Sequence, residues 1–239
     1  QLASLDGVIF TVEGTVFADP GAAVVRRIQA FMNIQNGGSF QALTGTLYLE
    51  AGGSVSQNSS EIAIPETSSN VRLVVRFAND TLTFEDNALL SVSDVSNTFE
   101  VMNSAKVEFK ASSVIEIEGG STIIQTGGYL QLRNDVIIVS LGSSLVVEDS
   151  GSTLDFGHSQ VTPLILTDVS IEIRSGGTLR GSSVDGVTTL TTSAALTLRT
   201  GSAVLWYGTL QSQGVVDIRG GLHTISNFLM VETSSLLHA

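Results

Sequence analysis

The chain has 239 residues, of which 42% are hydrophobic and only 14% charged, enough for one elongated domain with a continuous core. Its net charge of −12 disfavours binding to nucleic acids or anionic membranes, because an acidic surface repels phosphate groups. The absence of cysteine excludes disulfides and thiolate metal sites. No run of about 18 apolar residues is present, so we expect no membrane insertion as a helix.

The first 35 residues are predicted to be an N-terminal strand and cap segment. Val8, Phe10 and Val12 alternate with other residues, which indicates a strand. In residues 21–33 the apolar residues recur at a spacing that favours a short capping helix, and another pair of strands is the alternative.

From residue 36 onwards, apolar residues recur in pairs separated by one residue. Side chains alternate faces along a strand, so each pair predicts a short strand with one apolar face. Gly-Gly, Ser-Ser and similar polar inserts between the pairs predict bends. The best-defined pairs are Leu47/Leu49, Ile62/Ile64, Leu73/Val75, Leu82/Phe84, Leu90/Val92, Phe99/Val101, Val107/Phe109, Ile115/Ile117, Leu130/Leu132, Ile137/Val139, Leu145/Val147 and Leu154/Phe156, with Ile123 expected to fill one further inward position.

The pairs continue beyond residue 156 and end in an apolar tail. They predict about eight coils of roughly 23 residues between residues 36 and 232, with three strands to a coil and residues 233–239 as the tail. The whole chain, 1–239, is therefore expected to be one all-β solenoid domain. A single coil buries too little apolar surface to fold alone, so the coils must fold together.

One motif gives the pattern a family resemblance. An apolar pair, one or two further residues, Gly-Gly and then another apolar residue recur as LYLEAGGSV (47–55), IEIEGGSTI (115–123), IEIRSGGTL (171–179) and VDIRGGLHTI (216–225). This resembles the right-handed parallel β-helix superfamily, in particular the passenger domains of autotransporter-type adhesins and other repetitive cell-surface proteins. The resemblance implies the handedness of the coils and an extracellular or cell-surface location. Two Asn-x-Ser/Thr sequons, at Asn58 and Asn79, are candidate glycosylation sites that agree with secretion.

Two sets of residues are candidates for catalysis or metal binding. A β-helix glycosidase or lyase needs carboxylates on adjacent coils, and the candidates are Glu116, Glu118, Glu148, Asp149, Asp155, Glu172 and Asp217. An even distribution of these acids favours a solvated face instead. His158, His223 and His238 lack the spacing of metal ligands, so no metal or cofactor is expected.

Two further patterns are candidates for binding. Thr188 to Thr192 with Thr197 could suggest an ice-binding face, but such a face would need Thr-x-Thr in every coil, and elsewhere the outward positions hold Glu, Arg, Gln and Asp, which disfavours it. Trp206-Tyr207 and Tyr129 are candidates for stacking on sugars.

The sequence thus favours an extracellular structural or adhesive module, not an enzyme, that forms a surface stalk or assembles end to end into a filament. The alternatives are a carbohydrate-active β-helix, such as a polysaccharide lyase, hydrolase or tailspike-like protein, and a glycan-binding module. The expected partner is a second copy of the chain, because open solenoid ends expose strand edges. Candidate subunit-interface residues are Val8, Phe10, Val12, Leu229, Val231, Leu236 and Leu237.

Overall fold

The fold is seen in a computed structural model. It describes residues 9–19, 21, 25–56, 59–76, 81–85, 87–110, 112–133, 137–157, 164–181, 187–191, 193–206, 209–219, 224–226, 229–232 and 236–238. All secondary structure in these residues is β-strand, and most strands are short. Such short strands agree with the paired apolar residues, since one pair fills one strand.

Thirty strands follow one another among the described residues. In chain order they are β1 (Ile9–Val12), β2 (Thr15–Ala18), β3 (Val25–Ile28), β4 (Phe31–Ile34), β5 (Ser39–Ala42), β6 (Thr46–Leu49), β7 (Gly53–Val55), β8 (Glu61–Ile64), β9 (Arg72–Arg76), β10 (Thr81–Phe84), β11 (Leu89–Ser93), β12 (Thr98–Met102), β13 (Lys106–Phe109), β14 (Val114–Glu118), β15 (Ser121–Ile124), β16 (Tyr129–Leu132), β17 (Ile137–Leu141), β18 (Ser143–Glu148), β19 (Thr153–Phe156), β20 (Leu164–Leu166), β21 (Val169–Arg174), β22 (Thr178–Gly181), β23 (Val187–Leu190), β24 (Ala195–Leu198), β25 (Ala203–Trp206), β26 (Thr209–Ser212), β27 (Val215–Ile218), β28 (Thr224–Ser226), β29 (Leu229–Glu232) and β30 (Leu236–His238).

Every third strand belongs to the same parallel sheet. Sheet 1 has ten strands, β1 to β28 in steps of three, and sheet 3 has ten, β3 to β30. The remaining face is divided into sheet 2, with six strands from β2 to β17, and sheet 4, with four strands from β20 to β29. This topology is a right-handed parallel β-solenoid with three strands to a coil, as predicted.

The coils vary in length around the predicted period. One of the shortest separates the paired residues Thr209 and Leu229, and the longest separates the paired residues Gly53 and Leu82. Strands β6 to β29 form eight successive triplets, which agrees with about eight coils.

The core is a set of columns in which one inward side chain lies above the next. Nearly all the predicted apolar pairs are buried in these columns. In sheet 1, Phe84 stacks on Phe109 with ring centroids 4.4 Å apart, and Leu132 and Phe156 continue the same column. Each pair is thus covered by the pairs of neighbouring coils, so burial depends on the whole array.

The predicted capping helix over 21–33 is wrong, and the alternative, a pair of strands, is correct. Strands β3 and β4 occupy most of this segment. Ile28 and Met32 are both buried, but the spacing between them spans a corner between two strands and not one turn of a helix.

The register between coils also differs from the prediction at two positions. Thr122 is buried and Ile123 is only half-buried on the outer face, because the register pairs Thr122 with buried Phe99. In β17 the register aligns Ile138, and not Ile137, with buried Ile115. Both strands contain consecutive apolar residues, so either of the two could lie on the inward face. The pairing with the neighbouring coil determines which of them aligns with the inward column.

At some corners between strands the local geometry requires one particular residue type. A Cβ at Gly128 would lie 2.1 Å from the carbonyl oxygen of Val101 in the preceding coil, so no side chain fits there. Asn97, fully buried at another corner, accepts from the backbone N–H of Val71 at 2.9 Å and donates to the carbonyl oxygen of Ser68 at 2.9 Å. These bonds satisfy backbone groups that the strands leave unpaired.

Candidate functional site

A set of seven interacting polar side chains lies on the outer face of sheet 1. It spans four successive strands of that sheet and consists of Lys106, Glu108, Tyr129, Gln131, Arg133, Asp155 and Arg180, called here the sheet 1 cluster. The register places Glu108, Gln131, Asp155 and Arg180 in one outward column.

Asp155 lies at the centre of the cluster. It occupies an outward position, yet only 1% of it is exposed. Its Oδ2 accepts hydrogen bonds from the Tyr129 hydroxyl and from Gln131 Nε2 at 3.4 Å, and Arg180 Nε lies 4.0 Å away. Its Oδ1 is buried and has no hydrogen-bond partner. This oxygen has unused acceptor capacity, but its burial means that no further donor can reach it unless the side chains around it move.

Burial and the Asp155 carboxylate both act on Tyr129. Burial disfavours the phenolate, and the hydrogen bond to Asp155 also favours the neutral hydroxyl, so the pKa of Tyr129 lies well above its ordinary value of 10.0. Tyr129 therefore remains a hydrogen-bond donor throughout the physiological range.

Glu108 holds two of the cations in place. Its carboxylate lies 2.8 Å from Arg133 Nε and 3.4 Å from Lys106 Nζ. Burial opposes its ionisation, but the Arg133 hydrogen bond and the Lys106 charge more than offset that effect, so the pKa of Glu108 lies below its ordinary value. Lys106 Nζ also lies 5.7 Å from the centroid of the Tyr129 ring.

The sheet 1 cluster combines an aromatic ring, hydrogen-bond donors and acceptors, and three cations against two carboxylates. Its local charge is positive in a chain whose net charge is −12. These groups are suited to hydroxyl and carboxylate groups of a polar ligand such as a glycan.

The carboxylates predicted for a glycosidase do not form one groove. Glu116 and Glu118 lie on β14 in sheet 2, Asp155 lies in sheet 1, and the strands of sheet 3 carry Glu148, Glu172 and Asp217. Asp149 follows β18 at a corner, with a φ of 72°. Asp155 is thus the one candidate acid that belongs to the sheet 1 cluster.

Two of the predicted acids, Glu148 and Glu172, lie on adjacent coils and share an arginine. Arg174 Nη2 lies 2.7 Å from Glu148, and its Nη1 lies 3.6 Å from Glu172. Arg199 Nε lies 2.6 Å from Glu172. This alternation is an ion-pair ladder along sheet 3, which offsets the repulsion between stacked carboxylates.

The threonine pattern does not form a continuous outer face. Thr188 is fully buried. The register places Thr197 between Glu172 and Asp217, so its column does not repeat threonine.

The candidate interface residues lie near the two ends of the solenoid. Phe10 is partly buried against the core, and Val12 is buried at 2% exposure. Leu229 and Val231 lie in β29, and Leu236 and Leu237 lie in β30, the last strands of sheets 4 and 3. Large apolar side chains near the N-terminal end are also exposed, namely Ile9, Phe17, Val25 and Phe31.

Several candidates fall outside the described residues: Val8, the sequons at Asn58 and Asn79, His158, His223 and Tyr207. His238 lies in β30. Within the residues that the structure describes, no group of three or more His, Cys, Asp or Glu side chains could hold a metal ion, and no helix is long and apolar enough to cross a membrane.

Sequence reasoning included Tyr129 and Asp155 but missed their partners. Lys106, Glu108, Gln131 and Arg180 each occupy an outward position beside an inward apolar residue. The signal was the recurrence of polar residues at the same outward position one coil later, as from Lys106 to Tyr129 and from Asp155 to Arg180.

Comparison with known proteins gives no relative from which to assign the site. The chain matches no protein-family model, and searches of curated proteins and of solved structures find no significant match.

Proposed function

We propose that this chain is an extracellular structural or adhesive module, a stiff β-solenoid rod that serves as a surface stalk or as a segment of an end-to-end filament. The observation that carries the proposal is the ladder of parallel strands from β1 to β30, whose one break in the described residues lies in the face shared by sheets 2 and 4. Such an array is stiff because each coil is bonded to its neighbours by backbone hydrogen bonds.

The outer surface supports a structural role in a second way. Acids on sheet 3 are paired with arginines one coil away, as in Arg174 with Glu148 and Arg72 with Glu100 at 2.8 Å. Pairs of this kind neutralise charge on the outer face of sheet 3 and engage its carboxylates in ion pairs.

The motif at 47–55 and its repeats supports the cell-surface location, since it resembles the repeats of autotransporter-type adhesins. If the chain passes through a eukaryotic secretory route, Asn58 and Asn79 are the expected glycosylation sites. A mass decrease on treatment with a peptide N-glycosidase, absent in Asn58→Gln/Asn79→Gln, would test this part.

A filament would need the two ends of the solenoid to pair. In the described residues, β3 pairs with β6 and β30 pairs with β27, each on one side. Pairing of β30 of one copy with β3 of the next would continue sheet 3 in the same parallel direction.

Electron microscopy of the purified chain, combined with sedimentation velocity, tests the proposal. We expect straight particles of constant width, either single rods or rods joined at their ends. Globular particles, or turnover of acidic or neutral polysaccharides by the same preparation, would contradict a purely structural role.

The sheet 1 cluster favours a second candidate function, glycan binding or cleavage. Its exposed cations and the Tyr129 ring are suited to acidic saccharides. A glycan array probed with the wild-type chain and with Tyr129→Ala tests this candidate. A saccharide bound by the wild type and lost in the folded variant would support it, and no signal with either protein would remove it.

A further inference from the structure

An arginine lies in one of the core columns at the N-terminal end. The register of β3 with β6 pairs Arg26 with Leu47, and the same column continues through Leu73 and Phe99. Those three apolar residues are at most 3% exposed. Arg26 therefore places a charge where every neighbouring coil along this part of the column has a buried apolar side chain.

Arg26 is exposed because β3 is the first strand of sheet 3 in the part of the chain that the structure describes. Its Nη1 donates a hydrogen bond to the carbonyl oxygen of Val25 at 3.4 Å. An open depression at this edge is lined by Val25, Arg26, Arg27 and Gln29. A further coil stacked on β3 would cover this depression and remove water from the guanidinium.

We propose that Arg26 prevents a second copy of this chain from stacking on the N-terminal end. In a head-to-tail junction, β30 of one copy would lie beside β3 of the other. Leu237 pairs with Val216, which belongs to the same column as Leu47. The junction would thus place Arg26 opposite a leucine, and a guanidinium buried without a carboxylate is strongly unfavourable.

The same geometry defines which strand could pair with β3 at this end. An incoming strand with a carboxylate at the Arg26 position would pair with the guanidinium, and the nearby apolar residues Ile9, Phe17 and Val25 would contact the rest of that coil. Inward-pointing charges at sheet edges are a known protection against edge-to-edge association. Arg26 thus selects against self-assembly and in favour of an acidic edge strand.

This inference rests on the proposed structural role, and it favours the stalk over the filament. The test compares the wild type, Arg26→Met and Arg27→Met by sedimentation velocity over a wide range of concentration. Methionine retains much of the length of the side chain and removes the charge. Arg27 is the matched control, because it is the next residue on the same strand, faces outward and only approaches Glu50 at 3.7 Å.

We expect the wild type and Arg27→Met to remain monomeric. Arg26→Met should associate at least about tenfold more tightly than either, a change equal to about 1.4 kcal/mol. Leu237→Glu, with Arg26 present, should also associate, and adding Arg26→Met to it should abolish that association. Leu237→Glu, which keeps Arg26, makes the test decisive if Arg26→Met alone does not fold.

Three outcomes would overturn the inference. They are a wild type that already forms end-to-end chains, equal association of Arg26→Met and Arg27→Met, and a monomeric Arg26→Met together with a monomeric Leu237→Glu. End-to-end chains of the wild type would still support the proposed structural role, so failure of this inference and failure of that proposal are distinguishable.

Discussion

The Tyr129 hydroxyl donates a hydrogen bond to Oδ2 of Asp155, which lies in the next coil of sheet 1. Asp155 is buried, so loss of this donor leaves its charge less compensated. We expect Tyr129→Phe to lower the free energy of unfolding by about 1–3 kcal/mol, measured by urea denaturation.

Tyr48→Phe is the matched control for this variant. Its ring lies under the Arg76 guanidinium at 3.8 Å, a contact that does not need the hydroxyl. We expect a change within about 0.5 kcal/mol. Equal losses in the two variants would show that the Tyr129 hydrogen bond does not support the cluster.

A buried hydroxyl in the core predicts a stabilising substitution. Thr122 Oγ1 is buried without a hydrogen-bond partner, in a column between Phe99 and Leu145. Thr122→Val keeps the shape and removes the unsatisfied group, so we expect stability to rise by about 1 kcal/mol. Thr178→Val, on the outer face of sheet 1, should change stability little; a loss of stability in Thr122→Val would contradict the assigned environment.

The corner at Gly128 predicts a severe effect from one methyl group. A Cβ there would lie 2.1 Å from the Val101 carbonyl oxygen. Gly128→Ala should therefore force neighbouring coils apart and cost more than about 3 kcal/mol, or prevent folding. Gly14→Ala is the control, because nothing lies within 4 Å of its Cβ position. Similar melting temperatures for the two variants would show that the coils do not approach as described.

The lowered pKa of Glu108 predicts that the folding stability decreases at acidic pH. Its pKa is lower in the folded protein than its ordinary value of 4.5, so the unfolded chain binds the proton more tightly. The stabilisation is complete above pH 4.5 and is lost as the pH falls through the lower folded value. In thermal melts, the stability of Glu108→Gln should fall less steeply than that of the wild type below about pH 4.5. The same pH dependence in both proteins would exclude a contribution from Glu108.

The sequence predicts the core columns well because the information is local. An apolar pair such as Leu130/Leu132 fixes its own inward face by strand geometry, and both residues are buried. The predicted alignment between coils is wrong where adjacent apolar residues leave two faces open, as in the register at Ile123 and Ile137. There the neighbouring coil, and not the strand itself, decides the register.

The sheet 1 cluster is harder to predict because it depends on coil length. Tyr129 and Asp155 meet because they occupy neighbouring strands of sheet 1, but the coils differ in length, as the pairs Thr209–Leu229 and Gly53–Leu82 show. If one assumes that all coils have the same length, residues of later coils are therefore assigned to the wrong outward column. For the same reason, the position of Arg26 in a core column follows only from its pairing with Leu47.

The central claim is that the chain is a rod of stacked coils, and distances along one outward column test it most directly. Thr11, Thr83 and Leu205 lie in one column of sheet 1, three and five coils apart. The chain has no cysteine, so spin labels can be placed in pairs at these sites alone. At about 4.8 Å per coil, electron paramagnetic resonance should give distances of about 14 Å for Thr11–Thr83, about 24 Å for Thr83–Leu205 and about 38 Å for Thr11–Leu205. Distances that add in this way would support the rod, and a Thr11–Leu205 distance shorter than that of Thr83–Leu205 would contradict it.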